Sequence, residues 1–271
     1  MARLFITGGA GFIGSCFVRQ AIDRGDEVIV FDALTYAGHR ENLEPFISES
    51  EAGKREDFAF AVGDICNRGM VARLIREYQV DAVINFAAES HVDNSIESPA
   101  DFIQTNIVGT YNLLEATRAY WNSLDTKKKK LFRYIQISTD EVYGSLGKTG
   151  KFKENSRYKP NSPYSASKAS ADHLVNAWYH TYGMPTIITN CSNNYGPRQY
   201  PEKLIPTMIL SALSGKNLPV YGDGKNVRDW IHVEDHCHGI YLALTKGHPG
   251  ESYVFGGQAE MQNIELVKML C

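Results

Sequence analysis

The sequence predicts an α/β chain: a doubly wound parallel sheet, joined to a smaller lobe that is expected to be cut short at its C-terminus. Three observations carry this. Between residues 3 and 191, short apolar runs alternate with segments of helical period and no internal repeat. The run Ala82-Val83-Ile84-Asn85-Phe86 is apolar almost without alternation, as strands covered on both faces tend to be. After Cys191 the texture changes to turn formers and side-chain amides, Ser192-Asn193-Asn194-Tyr195-Gly196-Pro197-Arg198. We therefore expect a first domain over 1–191 with 228–248 packing back on it, and a smaller lobe from 192–227 and 249–271.

Arg3–Thr7 reads as the first strand, followed by Gly8-Gly9-Ala10-Gly11-Phe12-Ile13-Gly14 and a helix to about Arg24. Glycines at 8, 11 and 14 suit a tight turn and close backbone approach to a pyrophosphate, and the helix N-terminus offers oriented N–H groups, with Phe12 and Ile13 in its first turn. Val28–Asp32 is a second strand ending in an acid. Asp32 suits the hydroxyls of an adenosine ribose and repels a 2′-phosphate, so the loop predicts NAD rather than NADP, and the domain a Rossmann-like one. Leu34–Asn42 reads as a loop and Glu49–Asp57 as a charged surface insertion. A third strand, Phe58–Gly63, ends at Asp64-Ile65; Asp64 is either an adenine contact or a turn acid.

Arg68–Tyr78 reads as a helix, and a long helix is expected from Ser98-Pro99 to about Tyr120. Lys127–Lys130 reads as a solvated loop. A strand over Arg133–Ser138, a helix from Pro163 to Tyr182 closed by Gly183, and a strand over Pro185–Cys191 complete the first domain. In the smaller lobe we expect a helix near Lys203–Ser214 and strands near Leu218–Tyr221 and Arg228–Val233. A helix over Glu234–Lys246 is expected to pack back on the first domain. The chain closes with Asn263 as a cap and apolar residues at 264, 266, 267, 269 and 270, without a stop signal. That pattern predicts an interrupted helix and exposed apolar surface around Ile264, Leu266 and Leu270.

With 43% hydrophobic and 22% charged residues the composition is that of an ordinary globular chain. A formal charge of −3 gives no reason to expect a nucleic-acid or membrane-surface partner. No apolar run reaches bilayer length and no signal-peptide pattern opens the chain, so the cytoplasm is the default compartment. Five dispersed cysteines argue against a disulfide framework. His232, His236 and His238 lack a suitably spaced third ligand, and no metal is expected.

Ser138-Thr139-Asp140-Glu141 falls at the carboxyl end of a strand, where open α/β sheets place their ligands. Tyr164 and Lys168 stand four apart on the following helix and share a face. A neighbouring cation favours phenolate, so Lys168 is expected to draw the Tyr164 pKa toward neutrality. The pattern gathers a base, a hydroxyl donor and two carboxylates at one crevice.

These residues resemble the extended short-chain dehydrogenase/reductase superfamily. Within it they are similar to the dTDP-glucose 4,6-dehydratases, through Leu34–Gly38, Glu89–Asp93, Thr139-Asp140-Glu141, Asn190–Pro197, Pro201–Pro206, Val220–Gly224 and Val227–Trp230. His39 and Asn94 depart from the commoner Asn and Arg. The resemblance implies NAD-dependent oxidation at a sugar C4, elimination of water across C5 and C6, and return of hydride to C6. It implies Tyr164 as base, Lys168 on the cofactor ribose, Thr139 on the reacting oxygen, Glu141 as base at C5 and Asp140 as acid at O6. It places the substrate diphosphate near Asn193, Arg228 and Asn263, with Lys203 and Leu204 along the nucleotide sugar. Arg228 can also be read as a surface ion pair with Asp229 or Asp223. A homodimer through helices 99–120 and 163–182 is implied as well. A 4-epimerase, a GDP-mannose 4,6-dehydratase and a non-catalytic NAD-binding regulator remain open alternatives.

Overall fold

The computed structural model describes residues 1–147, 150–220 and 222–270. The chain runs β1 (Arg3–Thr7), α1 (Phe12–Asp23), β2 (Glu27–Asp32), a 3-10 turn (Arg40–Leu43), α2 (Phe46–Glu51), β3 (Phe58–Val62), α3 (Arg68–Glu77) and β4 (Ala82–Asn85). Next come α4 (Val92–Glu97), α5 (Pro99–Phe102), a π-helical segment (Ile103–Gly109), α6 (Thr110–Ser123), α7 (Thr126–Leu131), β5 (Arg133–Thr139) and a 3-10 turn (Asp140–Tyr143). α8 (Pro163–Tyr182), β6 (Thr186–Cys191), β7 (Asn193–Tyr195), α9 (Leu204–Leu213), β8 (Val227–His232) and α10 (Val233–Lys246) follow. The described chain ends in β9 (Ser252–Phe255), β10 (Glu260–Gln262) and α11 (Asn263–Leu270).

Seven strands form one parallel sheet in the order β3-β2-β1-β4-β5-β6-β9. Strand order reverses at β1, so a crevice opens between the carboxyl ends of β1 and β4. Both faces are covered. One core joins Phe17, Val18 and Ile22 of α1 to Ile240 of α10; the other joins Val71 and Leu74 of α3 to Leu113 of α6 and to Val175 and Trp178 of α8. α10 packs against α1, where Tyr241 donates its hydroxyl to Asp26 at 3.0 Å and Gln20 donates to the Glu234 carbonyl at 3.0 Å. A second sheet, β10-β8-β7, stands beside the crevice.

Several expectations need correction. Lys127–Lys130 lies in α7, not a loop, because Asp125 caps the helix by accepting from the Lys128 N–H at 2.9 Å. Part of the charged insertion is helix α2, anchored by buried Ile47; Arg55 then clamps Glu49 and Asp57 at 2.8 Å each. The helix after Ser98 changes to π-helical winding over Ile103–Gly109, and α4 precedes it. Residues 218–220 form no strand, and Tyr221 lies outside the described residues. Ser252–Phe255, which we gave to the smaller lobe, pairs with β6 as the edge of the large sheet. On α11, Leu266 is buried rather than exposed; bare apolar surface lies instead at Leu210 and Leu213 of α9 and at Met269.

Candidate active site

The site begins with the loop between β1 and α1. Gly8 has φ +68, and a Cβ there would meet the Ala87 backbone nitrogen at 2.5 Å; a Cβ on Gly14 would run into the Gly8 carbonyl. Only glycine lets α1 start so close to the strand ends. α1 has no side-chain cap and no acid in its first turn, leaving its N-terminal N–H groups to an anion. Asp32 ends β2 with its carboxylate fixed by the N–H groups of Ala10 and Leu34, both at 2.8 Å. A cradle that side chains would fill, an uncapped helix end and a seated acid together fit a dinucleotide. Asp64 accepts from the Cys66 N–H at 2.8 Å, a turn bond, while it and Ile65 also face the same space.

That space is one cavity of about 620 Å³. Its wall includes Gly8, Gly11, Phe12, Ile13, Gly14 and Asp32 from the first turns; Thr139, Glu141, Tyr164 and Lys168 from β5 and α8; and Asn193, Lys203, Leu204, Arg228 and Asn263 from the second lobe. Asp140 is the one predicted site residue outside the wall; its carboxyl lies 3.5 Å from the Thr139 hydroxyl. Pro163 in the first turn and a reciprocal Ser162–Ser165 capping box start α8 where Tyr164 meets the cavity. Thr139 also caps the turn after β5, accepting from the Glu141 N–H at 3.2 Å.

Electrostatics separates the two acids. Burial, then the charge of Glu141, pushes Asp140 up to about 7, against the opposing pull of Arg228. Burial also raises Glu141, but Arg228 and Lys203 both oppose it. The sequence-based expectation for Tyr164 does not hold in this structure. Burial and then the Glu141 charge hold its phenol well above the ordinary value, with only Thr139 pulling down. Lys168 is itself lowered by burial and donates to the Ile137 carbonyl at 2.6 Å, so its charge is engaged elsewhere.

Arg228 is exposed, and the two acids offered as ion-pair partners are committed elsewhere. Asp223 pairs with Lys225 at 3.1 Å, and Asp229 accepts from the Gly257 and Ala259 N–H groups at 2.7 Å. Asn263 opens α11 with a buried side-chain oxygen that has no partner among the described residues. The lobes meet through Lys203, which donates to the Ser90 carbonyl at 3.0 Å, and through Tyr200, stacked 5.3 Å from His39. Among the described residues no cluster of three His, Cys, Asp or Glu could hold a metal. His236 is fully buried on Asn194 at 2.9 Å, and burial pushes it down to about 3.

Sequence reasoning assigned no place in the site to Glu89, Ser90, His91 and Cys191, all of which face the cavity. The first three lay within a motif that carried the resemblance but had no role attached. Cys191 looked like a core residue and only its strand-end position could have pointed here.

A family model for GDP-mannose 4,6 dehydratase matches residues 5–271. The dTDP-glucose 4,6-dehydratase of Xanthomonas campestris pv. campestris strain B100 is 58% identical over 271 residues, covering all of this chain and 76% of that protein. A crystal structure of the Streptomyces venezuelae dTDP-glucose 4,6-dehydratase with NAD bound superposes with TM-score 0.90 at 47% identity, covering 99% of this chain and 80% of that one. The Thermus thermophilus UDP-glucose 4-epimerase in complex with NAD shares the fold at TM-score 0.86 but only 30% identity, over 99% of this chain and 82% of that one. The fold agrees with these likenesses, and the chain belongs to the dTDP-glucose 4,6-dehydratase family of the extended short-chain dehydrogenase/reductases.

Proposed function

We propose that this chain is a hydro-lyase that converts dTDP-glucose to dTDP-4-keto-6-deoxyglucose with NAD, a step of nucleotide deoxysugar biosynthesis. The observation that carries the reading is the acidic pair Asp140-Glu141, set directly after Thr139 and close to Tyr164, with Glu141 in the cavity wall and Asp140 behind it against the Thr139 hydroxyl. Oxidation or epimerisation at C4 needs no such pair, whereas elimination of water needs a base and an acid.

Bound NAD would supply the acceptor for the C4 hydride and its donor to C6, and a positive charge in a site whose carboxylates push the phenol up. Gly8, Gly11, Phe12, Ile13 and Gly14 would hold its pyrophosphate and Asp32 its adenosine ribose, with Asp64 and Ile65 beside the adenine. Tyr164 takes the proton of the sugar 4-hydroxyl while Thr139 hydrogen-bonds that oxygen. Lys168 holds the nicotinamide ribose. Once C4 is a ketone, the C5 proton is acidic enough for Glu141 to remove, and Asp140 protonates the departing 6-hydroxyl. Arg228, Asn193 and Asn263 grip the diphosphate, Arg228 by a two-pronged contact, and Lys203 and Leu204 lie along the nucleotide sugar.

NAD is expected to bind more tightly than NADP by tenfold or more, on the order of 1.4 kcal/mol. Calorimetry with both cofactors checks this, and tighter NADP binding would refute the role of Asp32. The functional reading is tested by incubating the protein and NAD with dTDP-, UDP- and CDP-glucose and GDP-mannose. A 4-keto-6-deoxy product from dTDP-glucose is expected; a 4-epimer with no loss of water would favour the epimerase reading.

The working form is proposed to be a homodimer formed through the helices over 99–120 and 163–182. Ile103, Tyr111 and Tyr182, on these helices, are 52%, 41% and 43% exposed, a face suited to a second copy. Sedimentation at micromolar concentration is expected to give twice the chain mass, and a monomer would refute it. The cytoplasm is the proposed compartment, consistent with four free cysteines among the described residues.

A further inference from the structure

One turn after Lys168 on α8, Asp172 is completely buried and does not line the cavity. Its Oδ2 accepts from the Ser138 hydroxyl at 2.6 Å and from the Tyr158 hydroxyl at 3.0 Å. Its Oδ1 has no partner among the described residues. Lys168 is 4% exposed, and its ammonium donates to the neutral Ile137 carbonyl at 2.6 Å. Ile137 and Ser138 are consecutive on β5. The strand end therefore grips Lys168 through one residue's carbonyl and Asp172 through the next residue's hydroxyl.

A buried ammonium bonded to a neutral carbonyl needs a nearby negative charge to stay protonated. We propose that Asp172 is a positioning residue, the buried counter-charge that keeps Lys168 protonated at the cavity, an inference that rests on the role given above to Lys168. The groups facing the carboxylate are Tyr134 and Ser138 from β5, Tyr143 from the turn after it, Tyr158 from the following loop, Asn190 from β6 and Lys168 of α8 itself, while Cys191 of β6 faces the Lys168 ammonium. Lys168 supplies the cation. Burial lowers Lys168 and Asp172 raises it; burial pushes Asp172 up to about 6, while Ser138 and then Lys168 pull it down. Ser138 and Tyr158 thus hold the carboxylate charged in a place where it would otherwise take up a proton.

Asp172→Asn keeps an oxygen that accepts from both hydroxyls and removes the charge, its amide nitrogen taking the place of Oδ1, which has no partner among the described residues. Lys168 should then lose its proton at lower pH, so the alkaline limb of the C4-oxidation step, read as reduced cofactor formed in a single turnover and independent of Asp140, is expected to move down by about one unit or more. A limb that stays where it is in wild type overturns the proposal. A second arm reads the pair without activity, by thermal melting at pH 8. Lys168→Met strands a buried carboxylate and is expected to lower Tm by roughly 10 °C. Adding Asp172→Asn to the same chain is expected to recover most of that loss. Additive losses, or a double variant that does not fold, would show that Asp172 has only a structural role. If dTDP-glucose is not turned over by wild type, the functional reading fails, while the melting arm still decides whether the two charges are coupled.

Discussion

Glu141→Gln is expected to cut formation of the 6-deoxy product by roughly 10²–10⁴-fold, the usual range for loss of a general base. Cofactor binding and C4 oxidation should survive, because neither uses this carboxylate. The substitution keeps the size of the side chain and its place behind the Thr139 cap, so the backbone of the turn should not move. Reduced cofactor should accumulate on adding dTDP-glucose, with little dehydrated sugar detected by mass spectrometry. One secondary effect has a definite sign. The Glu141 charge raises both Asp140 and Tyr164, so the amide should lower both and ease the first step slightly. Near wild-type turnover would show that another group removes the C5 proton.

The second large effect is in pH. Asp140 must be protonated to act as an acid, and burial with the neighbouring Glu141 charge pushes it up to about 7. Elimination should therefore fall above pH 7, by roughly tenfold per unit once the acid is mostly ionised. On the acid side the rate should fall as Glu141 takes up a proton, at a pH raised by burial. The linkage to stability has the corresponding sign. A carboxyl whose folded pKa lies above its unfolded one stabilises the fold at low pH, and that contribution is lost as pH rises through about 7. Asp140→Asn should consequently lose the alkaline limb and most of the activity, yet melt higher than wild type at pH 8. An unchanged alkaline limb in Asp140→Asn would assign the acid role elsewhere.

The sheet was legible because its strands are buried on both faces and read as apolar runs ended by turn signals. The glycine loop was legible because Gly8 and Gly14 stand where a Cβ would collide with backbone. Short elements were not. β7 and β10 have three residues each, too few to show a period, and α7 depends on a single Asp125 cap. β9 was missed for a different reason: nothing local to Ser252–Phe255 says that its partner is β6. Spacing put Tyr164 and Lys168 on one face correctly. It could not show that the Lys168 ammonium turns to Ile137, or that burial and the Glu141 charge raise the phenol. Those facts depend on burial and on residues distant in sequence, as does the Ser138–Asp172–Tyr158 cluster.

In the proposed reaction a single cavity oxidises C4, eliminates water and reduces C6 of one sugar without releasing it between steps. Following dTDP-glucose deuterated at C4 through one turnover in light water tests this most directly. Mass spectrometry and NMR of the product should place the deuterium at C6 of the same molecule, with solvent hydrogen at C5. Deuterium retained at C4 of an unchanged or epimerised sugar, or lost from the product altogether, would contradict the account.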